Sequence, residues 1–167
     1  MNKEHANIYN IKSIPMEELI EILLIEDNEG DIVLTKKAFE DGKIRNNLNV
    51  CRDGQEGVDY LFKRGEFANS VTPDLILLDL NMPKLGGREV LEQIKNDDKL
   101  KTIPVIVLTT SEDETDIMKS YQLHANSYVR KPVDFLQFVD VVSEIQNYWF
   151  SIVKIPAKQY SSTGRIF

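Results

Sequence analysis

Acidic residues follow two apolar runs, at the points where buried strands are expected to end. The run Ile22–Ile25 leads into Glu26 and Asp27, and the run Leu75–Leu78 leads into Asp79. An uninterrupted apolar run of this length is typical of a strand that is buried on both faces, as in a parallel sheet. Ligand sites in such sheets lie just beyond the carboxyl ends of the strands. We therefore expect the three acids to share one site.

Carboxylates at the ends of neighbouring strands would repel each other, because such strands lie about 4.8 Å apart. A hard divalent cation relieves this repulsion, and Mg²⁺ favours one or two carboxylates together with waters and phosphate oxygens. The backbone carbonyl of Asn81 offers a further oxygen, so the pattern predicts Mg²⁺ bound by Glu26, Asp27, Asp79 and Asn81. For Glu26 and Asp27 alone, a role as helix caps or solvent-facing acids stays open. Their combination with Asp79 and Lys131 favours the metal site.

Two further polar residues follow predicted strands. Thr109 is the first polar residue after the run Val105–Leu108, and Lys131 follows a short strand and precedes Pro132, which favours an extended backbone before it. An ammonium can hold a phosphoryl oxygen, and a hydroxyl can donate to an anion. Because aspartate can form an acyl phosphate, the set predicts phosphoryl transfer onto Asp79. The simpler alternatives are a surface lysine and a capping threonine.

The composition excludes several classes of protein. The 167 residues contain 27 acids and 20 bases, and the net charge of −7 disfavours a nucleic-acid surface. The single cysteine, Cys51, cannot form an internal disulfide and fits a reducing compartment. No apolar run approaches the ~20 residues that span a bilayer, and we find no signal peptide. We expect a cytoplasmic protein that binds neither nucleic acid nor membrane.

Apolar runs and amphipathic stretches alternate along the chain five times, which predicts a parallel sheet covered by helices on both faces. We expect a flexible N-terminal arm at 1–18, one domain at 19–153 and a C-terminal tail at 154–167. Strands are expected at Ile22–Ile25, Leu48–Cys51, Leu75–Leu78, Val105–Leu108 and Ser127–Arg130. Helices are expected at Asp31–Asp41, Gln55–Lys63, Gly87–Lys95, after a capping box formed by Ser111 and Glu114, and at Val133–Val153.

Taken together, these motifs resemble the receiver domain of two-component response regulators, over about Glu21–Trp149. The resemblance rests on motifs in the family's order and spacing: Ile25-Glu26-Asp27, Asp79-Leu80-Asn81-Met82-Pro83 followed by Gly87, Pro104 with Val107-Leu108-Thr109, and Tyr128-Val129-Arg130-Lys131-Pro132. It implies a flavodoxin-like, doubly wound α/β fold with five parallel strands in the order 2-1-3-4-5.

The resemblance also implies a role for each site residue. Asp79 would accept a phosphoryl group from a histidine kinase, while Glu26, Asp27, Asp79 and the Asn81 carbonyl would hold Mg²⁺. Thr109 and Lys131 match the family's switch hydroxyl and phosphate-pairing lysine, and Tyr128 matches the aromatic residue that changes rotamer on activation. The family's cis proline bond would be Lys131–Pro132. Glu26 stands where an aspartate is commoner in the family, so its longer arm would shift the metal or its water.

A closer resemblance concerns the small regulators paired with bacterial and cyanobacterial phytochromes. It rests on Gly87-Arg88-Glu89-Val90-Leu91, Leu123-His124-Ala125-Asn126-Ser127-Tyr128 and Tyr148-Trp149. It implies a light-driven histidine kinase as the partner. Neither His5 nor His124 suits a phosphate relay, so the donor histidine must belong to another protein.

The last helix carries more apolar surface than one sheet face can cover. Packing against the core explains most of its residues. It does not explain the residues at the C-terminal end of the helix, which we expect to be exposed: Tyr148, Trp149, Phe150 and Ile152. Exposed aromatics of this kind are typical of an interface. We therefore expect a homodimer that uses this helix and the neighbouring fifth strand.

Two other functions compete with a stand-alone phosphorylation switch. A metal-dependent aspartyl-phosphate phosphatase or phosphotransferase commonly needs an acid two residues after the nucleophile, but Asn81 occupies that position and cannot give up a proton. A degenerate receiver acting only as a scaffold is disfavoured, because every site residue is present. We therefore expect a signalling protein rather than an enzyme. The one reaction that we allow it is the hydrolysis of its own acyl phosphate.

Overall fold

The computed structural model describes residues 19–156, in which five strands alternate with five α-helices. The strands are β1 (Ile20–Ile25), β2 (Asn46–Cys51), β3 (Leu75–Leu78), β4 (Val105–Thr109) and β5 (Ser127–Arg130). The helices are α1 (Glu29–Glu40), α2 (Gly54–Leu61), α3 (Gly87–Asn96), α4 (Glu114–Gln122) and α5 (Phe135–Asn147). A 3₁₀ turn covers Gly65–Phe67, and a π-helical turn covers Tyr148–Ile152.

All neighbouring strands pair in parallel, in the order β2-β1-β3-β4-β5. Ile25 at the end of β1 pairs with Leu78 at the end of β3, and Leu78 pairs with Val107 in β4. The polar residues that follow these strands therefore emerge at one edge of the sheet. The predicted flavodoxin-like fold with strand order 2-1-3-4-5 is confirmed.

Alternate residues of the central strands pack into two separate apolar cores. Leu23 and Ile25 of β1 face α2 and α3, whereas Ile22 and Leu24 face α1 and α5. The strand β3 is buried along its whole length, which explains why it reads as a continuous apolar run rather than an alternating one. Both faces of the sheet are covered, as the sequence predicts.

The start of α4 differs from the prediction. Asp113, rather than Ser111, caps this helix, and its side chain accepts a hydrogen bond from the Thr115 amide at 2.7 Å. Aspartate caps helices as well as serine does. The Ser111 hydroxyl instead donates to the carboxylate of Asp116 at 2.7 Å. The expected capping box of Ser111 and Glu114 is therefore not formed.

The last helix is shorter than expected, and its end has a different form. Asp134 caps α5, accepting from the Gln137 amide at 3.0 Å, and regular α-helix gives way to the π-helical turn after Asn147. Trp149 and Phe150 pack against the core on the α1 and α5 side of the sheet, which corrects the expectation that they lack cover.

The peptide bond between Lys131 and Pro132 is trans, because residues 19–156 contain no cis peptide bond. The cis bond implied by the resemblance is therefore not found. The two isomers of an X–Pro bond differ by only about 0.5–1 kcal/mol, so the sequence motif does not by itself fix the isomer.

The N-terminal arm at 1–18, including His5, lies outside the described residues, as does most of the tail at 154–167. Among residues 19–156, every helix is too short or too polar to cross a bilayer.

Candidate functional site

Three carboxylates converge at the carboxyl ends of β1 and β3. The backbone holds them there, because the Asp79 amide donates to the Ile25 carbonyl at 3.0 Å and the Glu26 amide donates to the Cys51 carbonyl at 3.0 Å. One carboxylate oxygen from each of Glu26, Asp27 and Asp79 lies within 4.8 Å of the other two. Oxygen atoms at this spacing are the donor set that a hard divalent cation prefers. The predicted acids are thus brought together, and their chemistry fits the expected metal.

The three acids differ in exposure. Glu26 and Asp79 are buried, at 2% and 6% of their possible exposed surface, whereas Asp27 is exposed. A cation bound between them would therefore have protein ligands on the inner side and room for water or a phosphoryl group on the outer side. This arrangement suits Mg²⁺, which keeps several waters when it binds to proteins.

Lys131 reaches the same cluster from the end of β5. Its amide donates to the Thr109 carbonyl at 2.8 Å, which fixes the start of the side chain. Its ammonium forms a close ion pair with Glu26 and lies 2.9 Å from Asp31 Oδ2 and 3.3 Å from Asp79 Oδ2. The Lys131 side chain is only 3% exposed. A buried charge needs partners of opposite charge, and these carboxylates supply them.

Burial and charge oppose each other in this cluster. Burial tends to lower the pKa of Lys131, but the carboxylates of Asp79 and Glu26 outweigh it, so the pKa is raised and the group stays an ammonium. Burial raises the pKa of Glu26 to about 7; Lys131 opposes this increase and Asp79 adds to it. Adding positive charge beside Glu26 would favour its ionised form, which makes the cluster receptive to a cation.

The remaining predicted residues lie at the end of β4, in β5 and in the loop after Asp79. Thr109 is fully buried at the end of β4, and its hydroxyl oxygen lies 3.4 Å from the Ser111 amide that donates to it. Tyr128 is half-buried and donates to the Ser111 carbonyl at 2.9 Å. Asn81 is exposed, and its amide donates to Asp79 Oδ1 at 3.4 Å.

The loop after Asp79 is shaped by a close backbone approach at Gly87. A Cβ atom on Gly87 would lie 2.1 Å from the Asp79 carbonyl oxygen, closer than any side chain can come. The Gly87 amide donates to the Leu80 carbonyl at 3.0 Å. The absence of a side chain at Gly87 thus lets α3 begin directly against the backbone that carries Asp79.

Two contacts, one at the site and one between helices, are absent from the predictions made from the sequence. The sequence predicts Asp31 only as the start of a helix, although it contacts Lys131. Its position in the first turn of the helix after β1 is the signal that indicates this contact. Arg88 forms a close ion pair with Asp116 and so joins α3 to α4. No spacing rule indicates that pair, because the two residues belong to different helices.

The sequence of this chain matches the response regulator receiver domain family over residues 22–143. The chain belongs to that family. Membership implies a histidine kinase as the class of partner, and the domain described above has the family's fold.

Three relatives illustrate the similarity. The response regulator Rcp1 of Synechocystis is 43% identical over 136 residues, which are 81% of this chain and 92% of Rcp1. The probable methanogenesis regulatory protein FilR2 of Methanothrix harundinacea is 41% identical over 81% of this chain and 86% of its own length. The phosphorylated cyanobacterial phytochrome response regulator RcpA is 45% identical, with a TM-score of 0.82 over 84% of this chain and all of RcpA.

Rcp1 is also known as a Mn²⁺-bound crystal structure, which superimposes with a TM-score of 0.80 over 83% of this chain and 99% of that one. The chain is therefore a close relative of phytochrome response regulators. The predicted resemblance, both to receiver domains and to this group of small regulators, is confirmed.

Proposed function

We propose that Asp79 accepts a phosphoryl group from the phosphohistidine of a sensor kinase and that the chain passes the signal on through protein contacts. The observation that carries this proposal is the geometry around Asp79. Its carboxylate is buried, lies beside Glu26 and Asp27, and has the Lys131 ammonium 3.3 Å away. An aspartate in this setting combines a nucleophilic oxygen with groups that offset the charge of a phosphoryl group.

The reaction balances without any further reactant. A carboxylate oxygen of Asp79 attacks the phosphorus of the donor phosphohistidine, the phosphorus–nitrogen bond breaks, and the imidazole leaves and takes up a proton. The product is an acyl phosphate on Asp79. Lys131 offsets the charge on the phosphoryl oxygens, and Thr109, at the end of β4, would donate its hydroxyl to one of them.

We assign the cation as Mg²⁺, held by Glu26, Asp27, Asp79 and the Asn81 carbonyl. When bound, it supplies positive charge that offsets the negative charge of the transferring phosphoryl group. The hard oxygen donors support this assignment, as does the Mn²⁺ bound to the related Rcp1. The competing phosphatase interpretation is disfavoured, because the amide of Asn81 cannot act as a general acid.

The partner kinase that we propose is of the phytochrome type. The similarity to the phytochrome response regulator RcpA and to Rcp1 supports it. A purified phytochrome kinase carrying radiolabelled phosphohistidine would be mixed with the chain. We expect label to move to the parent protein within minutes and not to Asp79→Asn. Equal labelling of both would refute the proposed role of Asp79.

We also propose a homodimer formed by α5 and the neighbouring β5. The support is an exposed apolar surface at the two ends of the helix: Val133, Phe135, Leu136, Tyr148 and Ile152. A single exposed apolar residue is normal on a surface, but five large ones within one helix and its two flanks favour an interface. Light scattering at tens of micromolar should give twice the chain mass for the parent and for Val71→Lys, an exposed site away from this surface. Leu136→Lys should give the monomer mass. A strictly monomeric parent would exclude the dimer.

A further inference from the structure

Asp31 contacts the phosphorylation site although it is not one of the three clustered acids. Its Oδ2 accepts a hydrogen bond from the Lys131 ammonium at 2.9 Å, across 100 residues of sequence. Its side chain is about one quarter exposed, whereas that of Lys131 is almost fully buried. Asp31 therefore lies between solvent and the buried end of Lys131.

The local structure of α1 holds the backbone of Asp31 in place. The Asp31 amide donates to the cap residue Asn28 at 3.0 Å, and the Asp31 carbonyl accepts from the buried Thr35 hydroxyl at 2.7 Å. Both backbone groups of Asp31 are thus held. A carboxylate in the first turn of a helix is also stabilised by the helix dipole. The Asp31 carboxylate therefore meets Lys131 from a backbone that is held at both its amide and its carbonyl.

The ammonium of Lys131 has three N–H donors, which is enough for three acceptors. Hydrogen bonds to Glu26 and Asp31 occupy two of them, and Asp79 lies within ion-pair distance on the remaining side. Glu26 is also one of the acids clustered for a cation. Asp79 belongs to the same cluster, so Asp31 is the one acid paired with the Lys131 ammonium, among the described residues, that lies outside it.

We propose that Asp31 is a positioning residue for phosphoryl transfer: it holds the ammonium of Lys131 where that group can meet the phosphoryl oxygens at Asp79. This inference rests on the proposed phosphorylation of Asp79. It assigns Asp31 no direct contact with the phosphoryl group and no place among the ligands of the cation.

The matched control lies in the same helical turn. Glu29 is also acidic, but it pairs with Arg52 at 2.6 Å. The variant Glu29→Gln removes the same charge from the same end of α1 without touching Lys131. Asp31→Asn keeps a weaker acceptor for Lys131, whereas Asp31→Ala removes it. The positioning role therefore predicts a graded effect in the order parent, Asn, Ala.

The experiment measures labelling of the full chain by acetyl phosphate at saturating Mg²⁺, together with Mg²⁺ affinity by calorimetry and the urea unfolding midpoint of each variant. Asp31→Ala should label roughly tenfold more slowly than the parent, the equivalent of losing one charged hydrogen bond. Asp31→Asn should fall between them, and Glu29→Gln should match the parent. The Mg²⁺ dissociation constant of every variant should stay within roughly twofold of the parent's.

Three outcomes would overturn the inference in different ways. If the parent labels and Asp31→Ala labels at the same rate, Asp31 does not position Lys131, although the proposed function stands. If Asp31→Ala loses Mg²⁺ affinity as strongly as Asp27→Asn does, Asp31 serves the cation and not the lysine. If the parent takes up no label, the proposed function fails and the inference fails with it.

Discussion

The phenol of Tyr128 donates a hydrogen bond to the backbone carbonyl of Ser111, with 2.9 Å between the two oxygens. The amide of the same Ser111 donates to the hydroxyl oxygen of Thr109 at 3.4 Å. One residue of the loop between β4 and α4 is therefore bonded to both predicted switch residues. A movement of Thr109 toward a phosphoryl group would disturb the loop that holds Tyr128, which gives the proposed signal a physical route to the surface.

Replacing Tyr128 with phenylalanine tests this link. Tyr128→Phe should lower the free energy of unfolding by about 1 kcal/mol, because one half-buried hydrogen bond is lost. Urea denaturation monitored by circular dichroism measures the difference. Tyr121→Phe removes a phenol from an exposed residue of α4 and should change the stability by less than about 0.5 kcal/mol. Equal effects of the two variants would contradict the importance of the Ser111 contact.

The two adjacent glycines after Asp79 provide a matched pair. A Cβ at Gly87 would meet the Asp79 carbonyl at 2.1 Å, whereas one at Gly86 would meet only the movable end of the Glu89 side chain at 2.6 Å. Gly87→Ala should destabilise the protein by about 2 kcal/mol or more, because backbone must shift. Gly86→Ala should be nearly neutral. Thermal unfolding of both variants measures this, and a tolerated Gly87→Ala would show that the loop can move without cost.

Much of the fold could be predicted because the central strands are buried on both faces and therefore read as unbroken apolar runs. The site followed from the same fact, since Glu26, Asp27 and Asp79 are the first charges after those runs. Contacts between separate helices and strand ends could not be predicted. Asp31 meets Lys131 only because the Lys131 side chain extends from the end of β5 to the first turn of α1, and helical periodicity does not give that relation. The π-helical turn after Asn147 could not be predicted for a related reason. Trp149 and Phe150 in this turn pack against the core, which is a tertiary contact.

The buried ammonium of Lys131 offsets the repulsion between the carboxylates of Glu26 and Asp79, so its removal should destabilise the fold. Lys131→Met leaves Glu26 and Asp79 without their shared partner, so we expect a loss of ~3 kcal/mol in unfolding free energy in the presence of a chelator. Saturating Mg²⁺ should restore part of that loss. Lys43→Met removes an equal charge from an exposed position and serves as the control. An unchanged stability of Lys131→Met in chelator would mean that the acids do not depend on the lysine.

Lys95 gives the protein a pH-dependent component of stability. Its ammonium lies at the end of α3 and donates to the carbonyls of Lys101 and Ile103 and to the side chain of Asn126. Burial lowers the pKa of Lys95 to about 8 from an ordinary value of 10.5. Between these two values the unfolded chain binds more protons at this group than the folded one, so stability rises with pH there.

The comparison with Lys95→Met isolates this effect, because other titrating groups are common to both proteins. The unfolding free energy of the parent minus that of the variant should be constant below about pH 7 and should increase from pH 8 to pH 10. Chemical denaturation at several pH values measures it. A difference that decreases over that range would mean that the fold favours the charged form of Lys95.

The most direct measurement of the central claim is the mass of the protein after incubation with Mg²⁺ and acetyl phosphate. We predict one added phosphoryl group of about 80 Da on the parent, sensitive to hydroxylamine as an acyl phosphate is, and none on Asp79→Asn. Chelation of the Mg²⁺ should prevent the addition. Equal phosphorylation of Asp79→Asn, or a phosphoryl group on the parent that resists hydroxylamine, would contradict the assignment of Asp79 as the phosphoacceptor.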